Sequence, residues 1–228
     1  MNKNLTETPK MRYKNVIWDL DGTLLDTLQD LADAVNYALT NHEMPCRTLE
    51  EIRNFVGNGV KNLVIRAVPE GEQNPQFNHV FTLFRTYYLE HCQDNTRPYI
   101  GINEVLSKLK RHDIGMAIVS NKLQAGVTEL NKRWFSEFID IAIGEREGIN
   151  RKPLPDMLNI AMKELNAKAE ETVYIGDSDT DILTAKNAGV QCISVLWGFR
   201  DRDFLIKHGA TNFAASPKEL LAMILHNK

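Results

Sequence analysis

The first residues able to do chemistry are three aspartates at the end of a short apolar stretch. Asp19, Asp21 and Asp26 lie within eight residues of one another, directly after the apolar residues 16–18. Carboxylates at this spacing repel one another, and burying them without partners costs several kcal/mol or more. The spacing therefore indicates a bound cation, a reaction that uses the charge, or exposure to solvent.

Further polar groups follow two other apolar stretches and precede a predicted helix. They are Ser120, Asn121 and Lys122 after one stretch, Lys152 before the helix, and Asp177, Ser178, Asp179 and Asp181 after the other stretch. Together with the first aspartates they supply several carboxylates, a hydroxyl group and a lysine. These groups can act together only if the fold brings the ends of the three stretches to one place.

The order of the predicted elements indicates that the fold brings the ends of these three stretches together. Residues 14–19 form a short predicted strand, and after Pro98 apolar runs typical of strands alternate with helical patterns. This alternation predicts an α/β fold with a parallel sheet covered on both faces, whose ligand site lies at the carboxyl ends of the strands. Residues 26–94 have helical spacing instead, and we interpret them as an insertion after the first strand. We interpret Asp26 as the N-cap of the first inserted helix.

A carboxylate cluster with a hydroxyl group and a lysine suits phosphoryl transfer. Mg²⁺ prefers oxygen ligands and commonly takes a few carboxylates together with waters and phosphate oxygens. Such a cation would offset the repulsion among the aspartates and leave one of them able to attack phosphorus, forming an aspartyl-phosphate. Phosphomonoesters hydrolyse extremely slowly without a catalyst, so a two-step route with neutralised charge is chemically suitable.

Four motifs, in this order, resemble those of the haloacid dehalogenase superfamily. They are Asp19-Leu20-Asp21-Gly22-Thr23, Ser120-Asn121, Lys152-Pro153, and Gly176-Asp177-Ser178 followed by Asp181. Within that superfamily the chain most resembles the phosphoglycolate phosphatases. The resemblance implies a Rossmann-like α/β core with a parallel sheet and a helical cap domain inserted after the first strand. The implied boundaries are a core of residues 11–25 and 97–228, a cap of residues 26–96, and a flexible tail of residues 1–10.

The resemblance also implies a role for each residue at the sheet edge. Asp19 is expected to attack phosphorus, and Asp21 is expected to protonate the leaving alkoxide and then to deprotonate the hydrolytic water. Mg²⁺ is expected to be held by Asp19, by the backbone carbonyl of Asp21 and by Asp177. Ser120 and Lys152 are expected to hold the phosphoryl oxygens.

Other residues are expected to support the site. Asp181 lies one helical turn after Asp177, and we expect it either to order a water on the metal or to orient Lys152. Asn121 is expected to contact the substrate. Thr23 either helps to position the leaving-group acid or hydrogen-bonds its own loop.

The motif Gly57-Asn58-Gly59 in the expected cap has two interpretations. It is either a turn between two helices, because both residue types tolerate positive φ, or a loop whose backbone N–H groups face the far end of the substrate. The resemblance favours the second interpretation and adds Arg66 as a partner for a substrate carboxylate.

The composition argues against several classes of function. A net charge of −3 and a pI near 6.1 give no general attraction to nucleic acid or anionic lipid, and no apolar run reaches transmembrane length. The three cysteines are scattered, which argues against a disulfide framework or a zinc cluster. We expect a cytoplasmic protein that binds neither nucleic acid nor membrane, and both a monomer and a homodimer fit the sequence.

The predicted function is a Mg²⁺-dependent phosphatase for a small phosphate ester, with 2-phosphoglycolate as the best candidate. The alternatives within the superfamily are a pyrophosphatase, a nucleotide or sugar phosphatase, and a phosphomutase such as β-phosphoglucomutase. A signalling receiver is an alternative from another class, because receivers also carry acids at strand ends. Receivers take the phosphoryl group on a middle strand, however, and here that strand ends in Ser120-Asn121 without an aspartate.

Overall fold

A six-stranded sheet forms the centre of the computed structural model, which describes residues 12–57 and 59–225. The strands of the described residues, of which β2 and β3 pair outside this sheet, are Asn15–Trp18 (β1), Leu25–Asp26 (β2), Arg97–Pro98 (β3), Gly115–Leu123 (β4), Ile141–Glu145 (β5), Thr172–Gly176 (β6), Gln191–Val195 (β7) and Phe213–Ala214 (β8). The order in the sheet is β5–β4–β1–β6–β7–β8, with parallel neighbours throughout. The predicted α/β fold with a parallel sheet is confirmed, whereas the expected tail of residues 1–10 lies outside the described residues.

The helices form two groups. Those of residues 28–91, here called the helical segment, pack around a hydrophobic cluster of their own: Leu28–Thr40 (α1), Leu49–Phe55 (α2), Val60–Ala67 (α3) and Phe77–His91 (α4). The later helices follow the alternating part of the chain: Ile102–Arg111 (α5), Gln124–Trp134 (α6), Asp156–Glu164 (α7), Asp179–Ala188 (α8), Arg202–Lys207 (α9) and Pro217–Leu225 (α10). Among the described residues, no helix is long and apolar enough to span a membrane.

Strand β1 lies between β4 and β6 and is buried on both faces. Val16 and Trp18 belong to one hydrophobic cluster, which includes residues of α5, α6 and α10. Ile17 belongs to a second cluster, which includes residues of α7 and α8. Because successive side chains of a strand point to opposite faces, a stretch of strand covered on both sides is apolar at consecutive positions, as at residues 16–18. The apolar run before Asp19 therefore reflects the central position of β1.

A short antiparallel ribbon joins the helical segment to the sheet. Leu25 of β2 pairs with Pro98 of β3, and Asp26 pairs with Arg97, so the chain enters and leaves the helical segment side by side. This ribbon was not predicted from the sequence, because two residues are too few to show a period. The N-cap prediction for Asp26 was wrong, since Thr27 occupies that position. Asp26 is held in β2, and its carboxylate accepts the N–H of Leu28 at 3.2 Å.

Asp30 fixes α1 to the chain that returns to the sheet. Its buried carboxylate accepts the N–H of Asn95 at 2.8 Å and both the N–H and the hydroxyl of Thr96, at 2.9 and 2.7 Å. We expect Asp30→Asn to lower the free energy of unfolding by about 2–3 kcal/mol, because an amide NH₂ group would face donors that need an acceptor. Urea unfolding followed by circular dichroism measures this loss. Glu90→Gln on the exposed face of α4 is the control, with an expected change within about 0.5 kcal/mol. Equal losses in the two variants would contradict this role.

Candidate active site

The carboxyl ends of β1, β4 and β6 bring the predicted polar groups to one edge of the sheet. Trp18 near the end of β1 pairs with Ile118 of β4 and with Ile175 of β6. The residues that follow these positions, among them Asp19 and Asp177, therefore line one cavity. The cavity lies between the sheet edge and the helical segment and has a volume of about 110 Å³.

Lys152 is buried among the carboxylates. Its Nζ lies 2.8 Å from Asp19 Oδ1 and 2.7 Å from Asp181 Oδ1, and it donates to the hydroxyl of Tyr174 at 3.0 Å. Burial alone would lower the pKa of Lys152, but the negative charges of Asp181 and Asp19 outweigh burial and raise this pKa above its ordinary value. The ammonium group therefore stays charged beside Asp19.

Asn121 is engaged with the backbone of Lys152. Its Nδ2 donates to the carbonyl of Lys152 at 3.0 Å, and its Oδ1 accepts the N–H of Lys152 at 2.8 Å. We therefore expect Asn121 to position Lys152, while the direct substrate contact predicted from the sequence stays a prediction. Ser120 differs, because its hydroxyl oxygen accepts the N–H of Lys122 at 3.2 Å and its hydrogen can still be donated to a phosphoryl oxygen.

Asp177 is fixed by two loops. Its Oδ2 accepts the N–H of Phe199 at 2.6 Å, and its Oδ1 accepts the hydroxyl of Thr23 at 3.4 Å. Gly22 and Gly198 approach so closely that a Cβ atom on either would overlap the Asp177 side chain. These approaches require glycine, and they leave the Asp177 carboxylate little room to move.

The buried carboxylates fit a hard divalent cation. Asp19, Asp177 and Asp181 each offer one oxygen, and these atoms lie within 4.8 Å of one another. Burial and the negative charge of Asp181 raise the pKa of Asp177 to about 7 and raise the pKa of Asp19 well above its ordinary value. A bound cation would remove this penalty on the charged forms, and Mg²⁺ usually takes one or two carboxylates.

Asp181 is the least available of the three carboxylates. Its Oδ1 contacts Lys152 Nζ and the Tyr174 hydroxyl, and its Oδ2 accepts the N–H groups of Asp177 and Ser178 and the hydroxyl of Ser178. Asp19 and Asp177 are therefore the side chains that best fit a metal. The contact between Asp181 and Lys152 corresponds to the orienting role, one of the two roles expected for Asp181.

A second buried lysine lies in the same cavity. Lys122 Nζ donates to the Tyr88 hydroxyl at 2.6 Å and lies 3.3 Å from Asp21 Oδ1. Burial opposes the charged form of Lys122, but Asp21 and Tyr88 outweigh burial and raise the pKa of Lys122 above its ordinary value. Burial raises the pKa of Tyr88 to about 12, so its hydroxyl stays protonated. Tyr88 was not predicted from the sequence, because its spacing on α4 is that of a core aromatic residue.

The loop between α2 and α3 forms part of the cavity wall. Gly57 and Gly59 line the cavity, and Asn58 lies outside the described residues. Arg66 of α3 donates to the carbonyls of Phe55 and Gly57, at 2.6 and 2.9 Å. These contacts show Arg66 holding the loop, and its direct contact with a substrate carboxylate stays a prediction.

Two arginines connect the helical segment to the loop after β7. Arg200 donates to the carbonyl of Arg53 at 2.9 Å and to that of Val56, and Arg53 donates in return to the carbonyl of Gly198 at 3.0 Å. Neither arginine was predicted from the sequence, because their partners are backbone carbonyls that no sequence pattern marks. These contacts hold the helical segment over the cavity.

A protein-family model and curated relatives match most of this chain. Residues 16–195 match the family model described as haloacid dehalogenase-like hydrolase. The phosphoglycolate phosphatase of Pseudomonas fluorescens is 33% identical over 190 residues, which are 81% of this chain and 70% of that relative. The phosphoglycolate phosphatase of Mesorhizobium japonicum is 31% identical over 192 residues, which are 82% of this chain and 84% of that relative.

Solved structures share the fold. A crystal structure from Lactobacillus delbrueckii subsp. bulgaricus, provisionally named a phosphoglycolate phosphatase, is 38% identical with a TM-score of 0.90 and covers 95% of this chain and 100% of its own. A structure from Haemophilus somnus has a TM-score of 0.85 and covers 94% of this chain and 99% of its own. At 23% identity the second likeness supports the fold alone.

Proposed function

Because the chain belongs to the haloacid dehalogenase-like hydrolases, we propose that it is a Mg²⁺-dependent phosphatase that hydrolyses a small phosphomonoester through an aspartyl-phosphate. The substrate proposed is 2-phosphoglycolate, since the similar curated relatives are named phosphoglycolate phosphatases. One observation carries the proposal: the Asp19 carboxylate lines a small cavity with the Lys152 ammonium 2.8 Å away and an Asp177 oxygen within 4.8 Å.

In the first step, Asp19 attacks phosphorus and the bond between phosphorus and the ester oxygen breaks. Asp21 gives its proton to the departing oxygen, so that the alcohol leaves without charge. Lys152 and the hydroxyl of Ser120 bind the phosphoryl oxygens and offset their charge in the transition state. When bound to Asp19, Asp177 and the backbone carbonyl of Asp21, Mg²⁺ would add positive charge at the transferring group.

In the second step, the aspartyl-phosphate on Asp19 is hydrolysed. Asp21 takes a proton from a water whose oxygen bonds to phosphorus, while the bond between phosphorus and Asp19 breaks. This releases orthophosphate and restores the Asp19 carboxylate. We propose that residues 26–96, which include the helical segment, act as a cap over the site. The contacts of Arg53 and Arg200 favour the closed position of this cap.

A panel of phosphorylated metabolites tests the proposal directly. We expect orthophosphate release from 2-phosphoglycolate with Mg²⁺, loss of that release when EDTA is in excess, and recovery when Mg²⁺ is added beyond the EDTA. The physical reason is that the cation offsets the repulsion among the buried carboxylates and the phosphate ester. Colorimetric detection of orthophosphate measures the release, and repeated turnover excludes a receiver that is merely phosphorylated.

Two results would contradict the proposal in different ways. Release that is unaffected by EDTA would remove the metal from the mechanism. Conversion of a sugar 1-phosphate to its 6-isomer without free orthophosphate would make the protein a phosphomutase and overturn the hydrolase assignment.

A further inference from the structure

The proposed reaction leaves Lys122 without a role, although this lysine is buried in the same cavity. Its side chain is 9% exposed, and its Nζ contacts the hydroxyl of Tyr88 on the helical segment and the carboxylate of Asp21 at the sheet edge. An ammonium group has more donors than these two partners use. A ligand atom that enters the cavity can therefore accept a hydrogen bond from Lys122.

Tyr88 presents a second donor beside that ammonium. Its oxygen accepts the hydrogen bond from Lys122 at 2.6 Å, and no acceptor among the described residues takes its own hydroxyl hydrogen, which remains for a ligand. The Tyr88 residue is 8% exposed and lines the cavity. A buried ammonium and a neighbouring hydroxyl form a pair that suits a carboxylate, because a carboxylate accepts at both oxygens.

Two arginines near the cavity are held mainly by backbone carbonyls, and of their donors the buried Nε of Arg200 has no hydrogen-bond partner among the described residues. Arg66 donates to the carbonyls of Phe55 and Gly57, and Arg200 donates to those of Arg53 and Val56. Lys152 is held between Asp19 and Asp181 and serves the phosphoryl group. Among the cations of the described residues, Lys122 is the one in contact with Asp21, the proposed leaving-group acid, and this contact places it to meet a second charge on the substrate.

The helical segment's part of the cavity wall limits the rest of the substrate. The aliphatic side chains that it contributes are Leu31, Val56, Val60 and Leu63. These four side chains offer no hydrogen-bond partners to the hydroxyl groups of a sugar, which would be desolvated against them without compensation. The cavity volume of about 110 Å³ is also below the roughly 300–1,000 Å³ of sites for larger ligands.

We propose that Lys122 and Tyr88 bind a carboxylate on the leaving group, one carbon from the ester oxygen, and thereby select 2-phosphoglycolate over neutral esters. The inference rests on the proposed function, in which Asp21 protonates the ester oxygen. Because Lys122 Nζ lies 3.3 Å from Asp21 Oδ1, it lies close to the position of that oxygen. A single methylene group between the ester oxygen and the carboxylate matches this short separation.

The test compares 2-phosphoglycolate with 2-hydroxyethyl phosphate, in which an alcohol replaces the carboxylate. We expect Lys122→Met to lower the ratio of the two kcat/KM values by about 100-fold, because a charge-assisted hydrogen bond to the carboxylate is lost. Tyr88→Phe is expected to lower the same ratio by about tenfold. Lys132→Met on the exposed face of α6 is the matched control and leaves the ratio unchanged. Arg66→Met lowers both kcat/KM values through the loop and also leaves the ratio unchanged.

Equal losses of kcat/KM on both esters in Lys122→Met would overturn the inference. A ratio that falls in Arg66→Met and stays unchanged in Lys122→Met would also overturn it.

A binding measurement separates this inference from the proposed function. Calorimetry on Asp19→Asn with Mg²⁺ measures affinity for 2-phosphoglycolate without turnover, and adding Lys122→Met is expected to weaken it by at least about tenfold. If no ester is hydrolysed by the wild-type protein, the proposed function fails, and unchanged affinity in the double variant overturns the inference separately.

Discussion

Asp19→Asn is expected to lower kcat for orthophosphate release by about four orders of magnitude or more, because an amide cannot attack phosphorus to form the acyl-phosphate bond. The substitution keeps the shape of the side chain, so its surroundings can persist. It also removes one negative charge from a buried site where burial and Asp181 already raise the pKa of Asp19. We therefore expect the variant to fold with a free energy of unfolding within about 1 kcal/mol of wild type in EDTA.

Two measurements check this prediction together. Steady-state assays give kcat, and acid quenching followed by intact-protein mass spectrometry detects a phosphoryl group on the wild-type protein but not on Asp19→Asn. Asp140→Asn changes an exposed carboxylate just before β5 and is the control, which keeps both turnover and labelling. Labelling of Asp19→Asn at the wild-type level would identify a different nucleophile.

The residues at the sheet edge could be predicted from the sequence because the parallel strands place them at one edge. The carboxyl ends of parallel strands lie at one edge whatever the order of the strands, so Asp19, Ser120 and Asp177 could be grouped without knowledge of that order. The apolar run in β1 has the same origin, since a central strand is covered on both faces. The prediction thus depended on strands that can each be recognised from their own apolar run.

Residues that act between the helical segment and the sheet could not be found in this way. Tyr88 shares its face of α4 with Phe84, and only the approach of Lys122 from β4 distinguishes the two rings. Arg53 and Arg200 bind backbone carbonyls across the same gap. The period of a helix reports which side is buried and not which polar atoms lie opposite, so these contacts required the tertiary arrangement.

Arg66 illustrates the limit of assignment by residue type. An arginine near a substrate loop is a reasonable partner for a carboxylate, yet two of its hydrogen bonds go to the carbonyls of Phe55 and Gly57. Lys122 was visible in the sequence beside Ser120 and Asn121, but its neighbours on the helical segment were not. The hydrogen-bond partners of each cation therefore support our proposal that Lys122 binds the carboxylate, while the contact of Arg66 with a substrate carboxylate stays a prediction.

Lys152→Met is expected to lower both the free energy of unfolding and kcat, for two different reasons. The substitution leaves the carboxylates of Asp19 and Asp181 buried without the ammonium that contacts both, at 2.8 and 2.7 Å. Breaking a buried ion pair by removing one partner costs about 3–5 kcal/mol, so we expect a loss of this size in the free energy of unfolding in EDTA. We also expect kcat to fall by about 10³-fold, because the phosphoryl oxygens lose a fixed positive charge. Denaturant unfolding and steady-state kinetics measure the two effects.

The double variant Lys152→Met/Asp181→Asn separates the two causes. Asparagine at position 181 can still accept the N–H groups of Asp177 and Ser178 through its amide oxygen, while one of the uncompensated charges is removed. We therefore expect the double variant to recover much of the lost stability relative to Lys152→Met, as a coupling energy in a double-mutant cycle. Its kcat is expected to stay low, because no cation returns to the phosphoryl group. Recovery of both turnover and stability in the double variant would mean that Lys152 acts only by balancing the charge of Asp181. Wild-type stability in Lys152→Met would mean that the ion pair contributes nothing to folding.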